Sequence, residues 1–135
     1  MPTRYRAIAI FLGLTLAAAV RADDWPQWLG PQRDGIWREK GLLEKFPAGG
    51  PKVLWSLDLG LGYAGAAIHK GRVYVLDYDE TAKEDALRCF SLDDGKEIWR
   101  RSYKVMVKQY HGFSRTVPAV TDQYVVTIGP KCHVM

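Results

Sequence analysis

Short apolar, β-prone runs separated by polar turn residues fill positions 65 to 103, which predicts four short strands at 65–69, 72–78, 86–92 and 96–103. Short polar connections separate them. Lys70-Gly71 and Asp94-Gly95 are hairpin signals, and the charged run 79–85 predicts a longer, exposed hairpin loop. Four consecutive antiparallel strands form one meander. The stretch 91–99, Ser-Leu-Asp-Asp-Gly-Lys-Glu-Ile-Trp, closes it with a turn and a strand ending in a large aromatic side chain.

The pattern then starts again. Residues 118–128 align on 66–76 without a gap, at an offset of 52 residues. Upstream, Lys52-Val53-Leu54-Trp55 echoes Lys96-Glu97-Ile98-Trp99, with the two tryptophans 44 residues apart, so 53–59 is also expected to be a strand. Both spacings suit a repeat protein built from small sheets, and a longer connection within 104–115 accounts for their difference. In this register Val134-Met135 is expected to begin the strand that Cys89-Phe90 begins. The strand at 72–78 carries Val73 and Val75 on one face and Tyr74, Leu76 and Tyr78 on the other. A lone sheet would leave one of those faces in water, whereas a sheet stacked between neighbours buries both.

Ahead of the meander lies an arm, 23–52, rich in Trp, Pro and Gly. Trp25, Trp28 and Trp37 carry too much apolar surface for a free tail, so the arm is expected to lie across a groove or close one end of the domain. An aromatic platform for a sugar or a quinone is the functional alternative. Residues 41–45 are expected to form one short helical turn, and 46–51 a linker or sharp turn. Residues 1–22 read as a secretory signal peptide: Arg4 and Arg6, an apolar run at 7–20, and small residues at Val20 and Ala22 before Asp23. The run is shorter than the roughly 20 residues needed to span a bilayer. Cleavage would remove three basic residues and no acid, lowering the net charge from +4 to +1. The basic balance therefore gives no argument for nucleic-acid binding, and the cluster Arg100, Arg101, Lys104 and Lys108 reads as a solvated outer face.

Candidate chemistry is sparse. Cys89 and Cys132 would enter an oxidising compartment, but the repeat register places them in neighbouring sheets, which favours two separate buried thiols. His69, His111 and His133 form no ligand pair with each other or with Cys, and read as packing or surface residues. Asp77, Asp79, Glu80, Glu84 and Asp85 crowd one hairpin loop without the D-x-[DN]-x-[DN]-G order of a calcium loop, so solvated charge is expected. Gly60-Leu61-Gly62-Tyr63-Ala64-Gly65 matches G-x-G-x-x-G but lacks the following helix that would bind a pyrophosphate. Ser114 has no His and Asp partner pattern around it. No catalytic or metal-binding residue is therefore assigned, and no cofactor is evident.

Gly71-Arg72-Val73-Tyr74-Val75 followed by Leu92-Asp93-Asp94-Gly95-Lys96-Glu97-Ile98-Trp99 resembles the repeat of the PQQ-like (pyrroloquinoline-quinone-type) β-propellers. In that family a G-x-V-Y-V strand precedes an A-L-D-x-x-T-G-K-x-x-W motif. The arm from Asp24-Trp25-Pro26-Gln27-Trp28-Leu29-Gly30-Pro31 to Arg33-Asp34-Gly35 is similar to the W-P-x-x-[RL]-G-P-x-R-D-G segment that follows the signal peptide in exported bacterial members. The resemblance spans nearly all of 24–135. It implies an all-β, partial β-propeller with one complete four-stranded blade and parts of two others, exported to the periplasm or outside the cell.

On this expectation the chain is an N-terminal piece, marginal in isolation, whose partners are proteins or the rest of a propeller. Neither nucleic acid nor a stable membrane anchor is expected. Quinone-dependent dehydrogenases of the superfamily hold PQQ with a vicinal Cys-Cys disulfide, a stacking Trp and a calcium site. Here the two cysteines are 43 residues apart and no acid matches the calcium or base positions. PQQ is thus possible only through the resemblance. A non-catalytic scaffold or binding protein is the expectation, with a piece of an alcohol or sugar dehydrogenase, and more weakly a carbohydrate-binding surface, as alternatives.

Overall fold

The computed structural model describes residues 23–108 and 112–135. The signal-peptide reading and His111 lie outside the described residues. The described residues are all-β, with one 3-10 turn among them at Pro130–Cys132. Strands β1 (Ala67–His69), β2 (Arg72–Asp79), β3 (Glu84–Ser91) and β4 (Glu97–Lys104) form one antiparallel sheet in the order of the chain, and β5 (Ala119–Val120) pairs with β6 (Val125–Val126) in a second.

The turn chemistry sets the registers. His69 faces Arg72 across Lys70-Gly71, whose φ angles of 47° and 73° are both left-handed, the requirement of the two-residue turn that matches strand twist. At the other end, Asp79 Oδ1 accepts the Ala82 N–H at 2.8 Å, which tightens the charged loop to Glu80, Thr81, Ala82 and Lys83. The β3–β4 connection is longer than a two-residue hairpin: Ser91 N–H bonds to Lys96 O across Leu92-Asp93-Asp94-Gly95, and Gly95 turns at φ 70°.

Alternation along these strands makes two apolar faces. Leu76 opposes Leu87, Tyr74 opposes Cys89, and Cys89 opposes Trp99, so these side chains share a front face with Tyr78 and Asp85. Val73, Val75, Asp77, Ala86, Arg88 and Phe90 share the back. The front face receives the second sheet: Val120, Val117 and Val125 pack into one core with Ala67, Tyr74, Leu76, Leu87 and Cys89. Trp99 joins this core beside Tyr74, with ring centroids 6.0 Å apart. The second sheet repeats the first. Ala67↔Tyr74 and Ile68↔Val73 in β1–β2 become Ala119↔Val126 and Val120↔Val125 in β5–β6, each position displaced by 52 residues.

Three segments depart from the sequence reading. Residues 53–59 form no strand. Trp55 Nε1 donates to Leu92 O at 2.8 Å, Gly60 N–H donates to Asp77 Oδ2 at 3.0 Å, and Leu61 exchanges both backbone bonds with Tyr78. Tied to opposite ends of the sheet, this stretch crosses it instead of pairing along an edge, and Leu61 continues the edge that β1 begins. Residues 41–45 make bends without a helical turn. Val134 pairs with Ile128, the counterpart of Leu76, and so takes the place of Leu87 instead of Cys89; the turn before it is five residues shorter than in the first sheet.

The arm is docked. Trp25 exchanges two backbone hydrogen bonds of 2.9 Å with Ile68, and Val120 N–H donates to Pro26 O at 2.8 Å. Ile68 and Val120 are counterparts in the two sheets, so the arm joins both at the same point of the repeat. Trp25 stacks on Trp37 with centroids 4.9 Å apart and covers Gly30, where a β-carbon would lie 2.7 Å from its ring. Trp28 remains 68 % exposed and so contributes little to that packing.

Candidate functional site

The most chemically unusual group sits where the sheets meet. Asp85 is fully buried, although its place in a charged loop suggested solvent. β3 aims it at the front face, where the Tyr103 hydroxyl donates to Oδ2 at 2.9 Å and the Ser114 hydroxyl donates to Oδ1 at 2.5 Å. Burial raises its carboxyl above the usual range, and the two donors and the His133 charge only partly oppose this. The Tyr103 hydroxyl is raised as well, by burial and by the adjacent carboxylate. Gly129 fits against the pair: a β-carbon there would lie 2.6 Å from Asp85 Oδ2 and inside the radius of the Tyr103 oxygen.

Beside this cluster opens a cleft of about 710 Å³, and Ser114 and Gly129 line both. Phe113, Ile128 and Pro130 supply apolar walls, and Lys108, Arg115 and Lys131 supply positive charge. Such a cleft can hold an apolar body with an acidic head. Acyl transfer is a poor fit. A serine nucleophile needs access and a base to take its proton. Ser114 is 2 % exposed, and the His133 ring lies tilted against Tyr103, centroids 4.5 Å apart, with Nδ1 3.0 Å from Pro130 O.

The remaining candidates fall elsewhere. Asp77 is 3 % exposed on the back face, also contrary to the solvated reading. Its Oδ2 binds Arg88 at 2.9 Å, Arg88 reaches on to Glu97, and the guanidinium lies over the Phe90 ring. Glu84, at the loop's far side, pairs with Lys104 at 2.9 Å. Arg100 and Arg101 lie exposed on β4. His69 ties the arm to both turns: Nε2 lies 2.9 Å from Asp122 Oδ1, and Nδ1 lies 3.1 Å from Asp24 Oδ2 but off the line of a hydrogen bond. Asp24 accepts the Lys70 N–H at 3.0 Å, and Asp122 occupies the place in the second turn that Lys70 occupies in the first. Gly60 packs against Tyr78 O, which explains a glycine there without a nucleotide.

Cys89 and Cys132 are free thiols, as expected, but only Cys89 is buried; Cys132 is exposed at the end of the 3-10 turn. Burial raises the Cys89 thiol. Among the described residues, no group of three or more His, Cys, Asp or Glu side chains is placed to hold a metal ion, and no helix is long and apolar enough to cross a membrane. The chemistry that sequence reading missed, Asp85 with Ser114 and Tyr103, joins residues 18 and 29 positions apart. No protein-family model, curated protein or solved structure matches the chain.

Proposed function

We propose that this chain is an exported β-propeller-type scaffold or binding protein of the PQQ-like kind, without catalysis of its own. The observation that carries the reading is the repeated register: two hairpins with the same pairings 52 residues apart, the second packed on the front face of the first. Propeller blades are small antiparallel sheets stacked face to face, each buried on both sides. The front and back faces of the first sheet are both apolar, with Leu76 and Phe90 each 2 % exposed. Trp99 and the docked arm occupy places consistent with the motifs that carry the resemblance.

The polar clusters suit structure better than turnover. Asp85, Ser114 and Tyr103 satisfy one another across the joint between sheets, and Arg88 is held by ion pairs to Asp77 and Glu97. Titrating the full chain with PQQ, followed by tryptophan fluorescence, tests this reading. No saturable quenching is expected at roughly micromolar ligand. Saturable quenching there would instead favour the quinone-dehydrogenase alternative.

A further inference from the structure

The cleft of about 710 Å³ lies between the connection that follows β4 and the 3-10 turn, and its size suits a small organic ligand. Met106 and Ile128 stand 75 % and 49 % exposed beside the buried Pro130, so the fold leaves aliphatic surface uncovered there. Lys108, Arg115 and Lys131 line the same cleft, and none of its described lining residues is an acid. Lys70, Lys96 and Lys104 pair with carboxylates, whereas Lys108 and Lys131 make no ion pair among the described residues. Hydrogen-bond donors of the floor are already engaged. The Ser114 hydroxyl donates to Asp85 at 2.5 Å and the Thr116 hydroxyl to Ile128 O at 2.6 Å; the Gly129 N–H donates to His133 O at 2.8 Å. A ligand rich in hydroxyl or phosphate groups would leave polar atoms unpaired against this floor. One with an apolar body and a single anionic head buries the first on the aliphatic wall and sets the second among exposed cations.

We infer that this cleft binds a single-chain aliphatic carboxylate of the fatty-acid class, its tail along Met106, Ile128 and Pro130 and its head toward Lys108, Arg115 and Lys131. Charge complementarity selects the head: three cations and no acid line the site. The wall selects the tail. Phe113, the one aromatic side chain among the described lining residues, already packs on Tyr78 with ring centroids 5.4 Å apart. The remaining apolar wall is aliphatic, and the unbranched Met106 adapts to a flexible chain more readily than to one rigid shape. The inference gives the binding-protein reading a ligand and rests on it, but it does not depend on how many sheets the protein stacks.

Octanoate, with octanol as its uncharged counterpart, is titrated into the full chain while methyl NMR spectra are recorded. The Ile128 and Met106 methyls are expected to shift saturably, with Kd on the order of 0.1–1 mM, while Leu87, buried between the sheets, stays in place. K108E/K131E should weaken octanoate about tenfold and octanol less than about twofold. Arg115 is kept, because its guanidinium also lies over the Tyr63 ring at 5.5 Å. I128S removes part of the wall and should weaken both ligands; if circular dichroism shows it misfolded, M106S takes its place. Absence of a saturable shift up to about 10 mM octanoate overturns the proposal. So does an octanoate affinity that K108E/K131E leaves unchanged, which would remove the cations from recognition. Methyl shifts at Ile128 and Met106 that follow protein concentration before octanoate is added would make a second copy the occupant, overturning it equally. Each of these results leaves the stacked repeat standing while cross-peaks between Val120 and Leu76 persist in the same samples; their loss overturns the repeat reading instead.

Discussion

Replacing Gly129 with alanine isolates the joint between the sheets. Gly129 has φ −88° and ψ −172°, extended backbone that any residue adopts. On backbone grounds alone, G129A should stabilise the chain by about 0.4–1 kcal/mol through the unfolded state. Sterics oppose this. The new methyl would meet Asp85 Oδ2 at 2.6 Å and overlap the Tyr103 hydroxyl, so the Tyr103–Asp85 hydrogen bond must break or the second sheet must shift. Overpacking costs roughly 1–3 kcal/mol, and a hydrogen bond to a charged group contributes about 1.5–3 kcal/mol. The net expectation is about 2–4 kcal/mol of destabilisation. Urea unfolding followed by circular dichroism measures it, and Y103F provides the control. Without the hydroxyl the main overlap disappears, so G129A should cost at least about 1 kcal/mol less in the Y103F background. A G129A chain as stable as the wild type, or the same cost in both backgrounds, would refute the described packing of Gly129.

Asp85 gives a pH dependence of defined sign. Its carboxyl is raised in the folded chain, so the fold binds its proton more tightly than the unfolded chain does. Its contribution is therefore fully present below the usual carboxylate pKa and is lost as pH rises through the raised folded value. D85N should flatten the urea midpoint across that window, and an unchanged pH profile would contradict the burial of the charge. Trp55 covers Gly95 and donates to Leu92 O, so W55A should cost about 2–4 kcal/mol, read from the same urea curves. G71A forces an alanine to φ 73° in the β1–β2 turn and should cost about 1 kcal/mol, with the melting temperature as readout. In an exporting host, mass spectrometry of the secreted chain should find Asp23 at the N-terminus.

Local chemistry made much of the first sheet legible. β2 and β3 carry apolar side chains on both faces, Lys70-Gly71 sits where its left-handed pair is needed, and the gapless alignment of 118–128 on 66–76 reappears as paired registers. The errors share a cause, which is dependence on distant partners. The 53–59 stretch has strand composition, but Trp55 and Gly60 find partners at opposite ends of the sheet, and those contacts override the propensity. Asp85 looked solvated because its neighbours in sequence are charged. Only folding brings Ser114 and Tyr103 to it and makes burial tolerable. Cys132 lies in a turn rather than a strand because Lys131 and Cys132 both adopt left-handed φ, at 57° and 61°.

The stacked repeat is tested most directly by methyl NOEs in the full chain. Val120 and Val125 should show cross-peaks to Leu76 and Leu87, while Val126 and Ile128 should show none to the first sheet at low concentration. Intact NOEs within β1–β4 with none from Val120 or Val125 to Leu76 or Leu87 would contradict the repeat, and with it the propeller-type reading.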